Sequence, residues 1–218
     1  VDGAIKGLVY NSGAECCSGS RIFVQRSVID AFTTALCNQL DNVVVGDPRD
    51  DRTVMGAIIN APQFEKIQRY IREGSAVATL ARGGTIRDDL GGLFIEPTVF
   101  TDVPLNASIA REEIFGPVVA LFPFDTVDDA IKLANDTEYG LAASGWTSNL
   151  ETAMIMSRRV RSGVVWINTF LDVPSEMPIG GIRQRGYGRE NGRFGIEEFT
   201  VIKTVIIQNV SKYSKYLP

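Results

Sequence analysis

Apolar positions recur along this chain with two distinct periods. Ile5, Leu8 and Val9 fall at helical spacing and predict a short first helix, ended by Gly13 and the Ser and Gly residues up to Ser20. From Arg21 to Gln25 the period shortens to two, with Ile22 and Val24 alternating against polar neighbours, which predicts a strand. Ser27 with Asp30 resembles a capping pair ahead of an amphipathic helix running to about Leu40. Residues 46–60 read as loop. Helical spacing returns from about Ala61 to Glu73, with Ile67, Tyr70 and Ile71 on one face.

The next stretch is β-flavoured. Strands are predicted over Val77–Leu80 and over Phe94–Phe100, the second interrupted by Pro97, with a turn at Gly83-Gly84 between them. Val118–Phe124 is the most continuously apolar strand. Thr126 and Asp129 suit the start of a helix reaching Ala134. Ala142–Thr147 reads as a strand, and Ser148-Asn149-Leu150-Glu151 as a capping box opening a helix to about Val160. Gly163–Asn168 reads as a buried strand. After a glycine-dense loop, Val201–Val210 reads as a long final strand. Strands and helices in alternation, with strands apolar throughout, predict an α/β fold: a mostly parallel sheet with helices on both faces. One domain over residues 1–199 with an extended tail over 200–218 fits this pattern.

Composition narrows the chemistry. The 218 residues carry 22 basic and 26 acidic side chains, a net charge of −4. That balance disfavours nucleic acid, which needs a basic stripe. No apolar run reaches the length of a membrane span, and no charged start leads into an apolar signal core. The chain has no histidine. Every Ser-His-Asp, Cys-His or histidine-ligated metal mechanism is therefore excluded from its own residues. The three cysteines are Cys16, Cys17 and Cys37. The number is odd, two are adjacent, and metal-ligand spacing is absent, so neither a disulfide framework nor a metal site is expected. A reducing, cytoplasmic setting fits.

Three segments are candidates for chemistry. In the first, small residues flank Cys16, so a ligand can approach it, and a loop beside a helix end supplies N–H groups that favour a thiolate. The alternative is a buried cysteine pair acting as small hydrophobes. In the second, Glu112-Glu113-Ile114-Phe115-Gly116-Pro117, a carboxylate suits a pair of ribose hydroxyls, the alternative being a solvated acidic turn. The third, Gly180-Gly181 to Gly195, contains Gly186-x-Gly188-x-x-x-Gly192. It neither follows a strand directly nor precedes a suitably spaced acidic residue, so turns and close packing explain it better than a dinucleotide loop.

Taken in order, several short motifs resemble the aldehyde dehydrogenase superfamily over nearly the whole chain. They include Gly13-x-x-Cys16-x-x-x-Ser20-Arg21, Glu96-Pro97-Thr98-Val99-Phe100, Arg111-Glu112-Glu113-Ile114-Phe115-Gly116-Pro117, Val165-Trp166-Ile167-Asn168, Pro178-x-Gly180-Gly181 and Gly188-Arg189-Glu190-x-Gly192. The resemblance implies that Cys16 is the catalytic nucleophile and Cys17 its non-catalytic neighbour. It implies that Glu113 holds the nicotinamide-ribose hydroxyls of NAD or NADP, that Phe115 packs near the nicotinamide, and that Glu190 is a supporting catalytic glutamate that relays protons. The implied reaction takes a small aldehyde to a carboxylic acid through a Cys16 thiohemiacetal and thioester. Ala14 departs from the family pattern, which has Gln there. The implied dinucleotide-binding domain, glutamate base and oxyanion-hole asparagine have no counterpart here.

The chain is therefore expected to be a catalytic portion, inactive alone and partnered by an N-terminal half on the same or another chain. The alternatives are a non-enzymatic assembly module and a residual thiol esterase. The resemblance also implies a homo-oligomer through the C-terminal strand. The loop from Asn168-Thr169-Phe170 to Ser175-Glu176-Met177-Pro178 and the later Gly188-Arg189-Glu190-Asn191-Gly192 look most like members acting on betaine aldehyde or amino-aldehydes, with Phe170 either offering a face to a cation or filling an apolar loop.

Overall fold

The computed structural model describes residues 1–208, and its organisation follows from the most apolar stretch of the chain. Val118–Phe124 forms strand β4, and its side chains alternate between two cores. Val118, Ala120 and Phe122 pack with Ile67, Tyr70, Ile71 and Ile109 on one face. Val119 and Leu121 pack with Leu8, Leu36, Leu40 and Val99 on the other. With both faces covered, neither set of alternate positions is polar, which is why the strand reads as a continuous apolar run.

Helices α1 (Asp2–Val9) and α2 (Ile29–Leu40) supply the second core. Helices α3 (Ala61–Val77) and α4 (Ser108–Arg111) supply the first. Strand β4 lies between β1 (Arg21–Gln25) and β3 (Thr98–Thr101), parallel to both, with Arg21 opposite Ala120 and Thr98 opposite Val118. Strand β2 (Thr79–Arg82) closes the sheet antiparallel to β3, with a register shift between Leu80 and Arg82. The order is β1-β4-β3-β2. After α5 (Val127–Asn135), strands β5 (Ala142–Gly145) and β6 (Val164–Ile167) form a separate parallel pair joined through α6 (Leu150–Arg159). The mostly parallel α/β arrangement expected from the sequence is the one observed.

Local chemistry explains where elements start. Asn60 accepts a hydrogen bond from the Gln63 N–H at 2.9 Å and caps α3. Thr126 and Asp129 form the expected reciprocal capping box of α5. Two predicted caps are corrected. Asn149, not Ser148, caps α6 by accepting from the Thr152 N–H. The Ser27–Asp30 pair does not form, because the chain enters α2 through a 3-10 turn over Arg26–Val28.

Boundaries shift as well. Helix α3 runs on to Val77, so β2 begins only at Thr79. The strand predicted from Phe94 begins at Thr98, after Pro97, which has no N–H to give a ladder. The glycine-dense loop contains a short helix, α7 (Gly192–Glu197), and α4 occupies a stretch to which the pattern assigns no element.

The largest correction is the tail. Residues 201–208 form no strand, and Val201, Ile202 and Ile206 are 92%, 96% and 87% exposed. A strand needs a partner edge for its N–H and C=O groups, and no strand among the described residues pairs with this segment. Asn209 and Val210, the end of that predicted strand, lie outside the described residues. No helix among the described residues is long and apolar enough to cross a membrane.

Candidate active site

The loop bearing Cys16 is placed by three left-handed residues. Asn11, Ser12 and Gly13 have φ of 50°, 55° and 72° and turn the chain sharply at the end of α1. Asn11 suits such a position because its amide Nδ2 donates to the Ala14 carbonyl at 2.8 Å. Gly13 lies against the backbone of Gly116, where a Cβ would come within 2.2 Å of the Gly116 carbonyl carbon. Only glycine lets the cysteine loop and the Glu112–Pro117 turn meet this closely.

The Glu112–Pro117 turn is held from the other side by α3. Lys66 Nζ donates to the Glu113 carbonyl at 2.9 Å, and Gln63 Nε2 to the carbonyls of Ile114 and Phe115 at 2.9 and 2.8 Å. Ile114 is buried in the core beneath. Glu112 accepts from the Tyr70 hydroxyl at 2.6 Å, and Glu112, Glu113 and Phe115 all line the cleft. Phe115 adopts φ of 58°, and its ring is partly exposed.

These two segments line one cleft, together with Glu15, Arg21, Tyr139 and Arg185. The structure therefore brings Cys16, Glu113 and Phe115 together, although about a hundred positions separate the first from the others. Cys16 is exposed and Cys17 buried. Cys17 packs with Trp166 and Phe170, whose rings meet edge to face at 5.7 Å. Phe170 is thus buried packing, not an open cation-accepting face. The motif arginine, Arg21, donates to the Leu133 and Ala134 carbonyls at 3.4 and 3.3 Å, satisfying the C-terminal end of α5. Its role here is to seat β1 against that helix.

Two further readings concern Glu190 and the state of the Cys16 thiol. Glu190 is exposed and is not among the residues lining the cleft. Its backbone pairs with Ile179 in both directions at 2.8 Å, in an isolated antiparallel bridge. The environment of Cys16 also does not favour a thiolate. Partial burial pushes its pKa up, and Glu15 adds to this by accepting a hydrogen bond from Sγ at 3.3 Å and placing a negative charge beside it. The backbone contribution that lowers it is smaller. Burial, with Cys16 beside it, pushes Cys17 further, to about 12. Burial also raises Cys37, which lies apart from the cleft.

The sequence reading missed Glu15, Tyr139 and Arg185. Glu15 was findable, since it adjoins the candidate nucleophile. Arg185 carried no signal, being one arginine among glycines and 72 positions from its partner Glu113. The glycine-rich segment itself behaves as expected: Gly186, Gly188 and Gly192 all have positive φ and serve turns.

Comparison with known proteins gives a consistent picture. The model described as the aldehyde dehydrogenase family matches residues 1–205. A betaine aldehyde dehydrogenase of Brucella anthropi is 41% identical over 212 residues, 95% of this chain and 44% of the relative. A crystal structure of a betaine aldehyde dehydrogenase point mutant from Staphylococcus aureus, in complex with NAD+ and with a BME-modified cysteine, superposes with a TM-score of 0.94 at 38% identity, over 100% of this chain and 45% of that one. An NAD-dependent aldehyde dehydrogenase from Sinorhizobium meliloti superposes with a TM-score of 0.92 at 43% identity, over 98% and 43% of the two chains. The chain thus spans less than half the length of the curated relatives it matches.

Proposed function

Because this chain belongs to the aldehyde dehydrogenase family, we propose that it carries the nucleophile side of an NAD(P)-dependent aldehyde-oxidising site, with Cys16 as the catalytic residue. The observation that supports this reading is the convergence of Cys16, Glu113 and Phe115 in one cleft. Cys16 Sγ attacks the aldehyde carbon, its proton leaves to solvent or a base, and the sulfur stays bonded to carbon through a thiohemiacetal and then a thioester. Water releases the acid and returns the thiol. NAD(P), when bound, supplies the hydride acceptor.

The chain's own residues fit one end of such a cofactor. Glu113 contacts Arg185 through Oε1, and its second oxygen remains to accept a hydroxyl of a ribose. Phe115 offers a partly exposed ring beside it. Two hydrogen bonds to a charged carboxylate are worth about 1.5–3 kcal/mol each at best, well short of the roughly 8 kcal/mol of micromolar binding. The 218-residue chain on its own is therefore expected not to reduce NAD. The names of the relatives favour betaine aldehyde or a similar amino-aldehyde as substrate. Cys17, buried against Trp166 and Phe170, anchors the segment that follows Cys16.

The test needs no cofactor. An activated ester such as p-nitrophenyl acetate acylates an addressable thiol, forming a thioester and releasing p-nitrophenol. Peptide mapping is expected to place the acyl group on Cys16. Acylation of Cys17 or Cys37 instead, or of no cysteine, refutes the assignment.

A further inference from the structure

The glycine-rich segment around residues 180–192 has no part in the reading above, yet it sends one side chain into the cleft. Arg185 lies with its guanidinium 4.6 Å from the centre of the Tyr139 ring and pairs with Glu113 through Nη2 and Oε1. Its backbone neighbours are fixed. The N–H groups of Ile182 and Gln184 donate to the carbonyls of Gly140 and Glu138 at 3.0 and 3.1 Å, and Arg183 Nη1 donates to the Asn135 and Thr137 carbonyls at 3.1 and 2.5 Å. Arg185 is thus delivered to the cleft by a segment tied down on both sides of Tyr139.

The other charges in the cleft have separate partners. Arg111 pairs with Asp136 at 2.7 Å, Arg21 is held on the α5 carbonyls, Glu112 takes the Tyr70 hydroxyl, and Glu15 faces Cys16. Lys66 reaches Glu113 only at its main-chain carbonyl. Among the described residues, Arg185 is therefore the cation recorded on the Glu113 carboxylate. The side chains are only 19% and 33% exposed, so this pair is partly shielded from water.

We propose that Arg185 is the positioning residue of Glu113: stacked on Tyr139, it holds the carboxylate at the Cys16 cleft and couples the glycine-rich segment to that cleft. The proposal rests on the reading of Glu113 as the carboxylate that receives a ribose diol. It adds that the diol must share Glu113 with Arg185. Each partner also neutralises the other, so the wall they form presents no net charge to a molecule approaching Cys16.

The test uses the whole 218-residue chain and two alkylating agents that differ in charge, iodoacetate and iodoacetamide. The readout is the ratio of their rates at Cys16, followed by peptide mass spectrometry. In Glu113→Gln an unpaired Arg185 attracts the anionic reagent, so the ratio is expected to rise about twofold or more. In Arg185→Gln an unpaired Glu113 repels it, and the ratio falls by a similar factor. The double variant returns towards the parent, and Arg185→Lys stays near it. A general loosening of the fold moves both single variants in the same direction, which overturns the proposal, as does an unchanged ratio in both. Hydrogen exchange at Gln184 provides the second arm. It is expected to rise in Glu113→Gln and stay at the parent level if the segment is independent of Glu113. If ester acylation misses Cys16, the catalytic reading fails while this charge pattern stands. If acylation succeeds and the charge pattern is absent, only the Arg185 proposal fails.

Discussion

Replacing Glu15 by Gln is expected to wake the Cys16 thiol. The Glu15 carboxylate accepts a hydrogen bond from Sγ at 3.3 Å and so stabilises the protonated form while repelling the thiolate. Because Cys16 is exposed, the dielectric of water is the appropriate one, and Coulomb's law then gives about 1.3 kcal/mol at this distance. Removing the charge therefore raises the thiolate fraction at neutral pH roughly ninefold. A less basic thiolate is also a weaker nucleophile, with a Brønsted slope of about 0.4–0.5, which returns a factor of roughly 2.5–3. The net expectation is alkylation about threefold faster near pH 7 and a plateau at high pH about 2.5–3-fold lower than in the parent. Gln keeps the shape and leaves burial, the first cause of the raised pKa, in place. The assay is the pH–rate profile of iodoacetamide labelling at Cys16, followed by peptide mass spectrometry. A profile that stays put, or moves to higher pH, refutes the reasoning that Glu15 restrains the thiol.

Three further outcomes are expected. Gly13→Ala forces a Cβ to within 2.2 Å of the Gly116 backbone at a φ of +72°. It should cost more than about 1 kcal/mol in denaturant unfolding and scramble labelling between Cys16 and Cys17; a neutral change would mean the two loops are not locked there. The folded chain holds the Cys17 proton up to about pH 12, against an ordinary 9.0, so this contribution is complete below pH 9.0 and is lost as pH rises towards 12. Stability should fall above pH 9.0, and Cys17→Ala should reduce but not abolish the slope between 9.0 and 10.0, where the raised Cys16 and Cys37 contribute in the same direction and Tyr70 has not yet begun to. Finally, the exposed β-branched tail from Thr200 should drive association with a second copy through edge pairing. Sedimentation at tens of micromolar should show at least a dimer that deletion of residues 200–218 converts to monomer, and an unchanged oligomer would exclude the tail as the interface.

How much of this was readable beforehand depended on the range of the interactions involved. Strand β4 matched its predicted bounds because a run buried on both faces leaves an unmistakable apolar string. The α5 capping box was legible because Thr126 and Asp129 are three residues apart and satisfy each other. The missed ends were those set from a distance. Helix α3 continues past Glu73 because Gly74 sits under Phe100 and Ile109, contacts that no local window contains. The tail strand failed for the complementary reason: its residues have strand propensity, but propensity without a partner edge makes no ladder.

The site divides the same way. Motifs located Cys16, Glu113 and Phe115, and the fold brought them into one cleft. What no motif contained was their mutual dependence. Gly13 belongs to the cysteine motif and Gly116 to the glutamate motif, and each reads alone as a turn residue. In the fold they touch: Gly116 is the reason Gly13 must be bare, and Ile67 of α3 is the reason Gly116 must be. The same holds for charge. Glu113 alone is an acidic turn, and Arg185 alone is a basic residue in a glycine loop; only the fold makes them a pair. The sign of the effect on Cys16 followed from this too, since a loop expected to favour a thiolate carries Glu15 against the sulfur and disfavours one. Burial comes first and Glu15 second in holding the proton on Cys16, which is why Glu15, the neighbour whose charge a substitution can remove without opening the site, is the informative position for its reactivity.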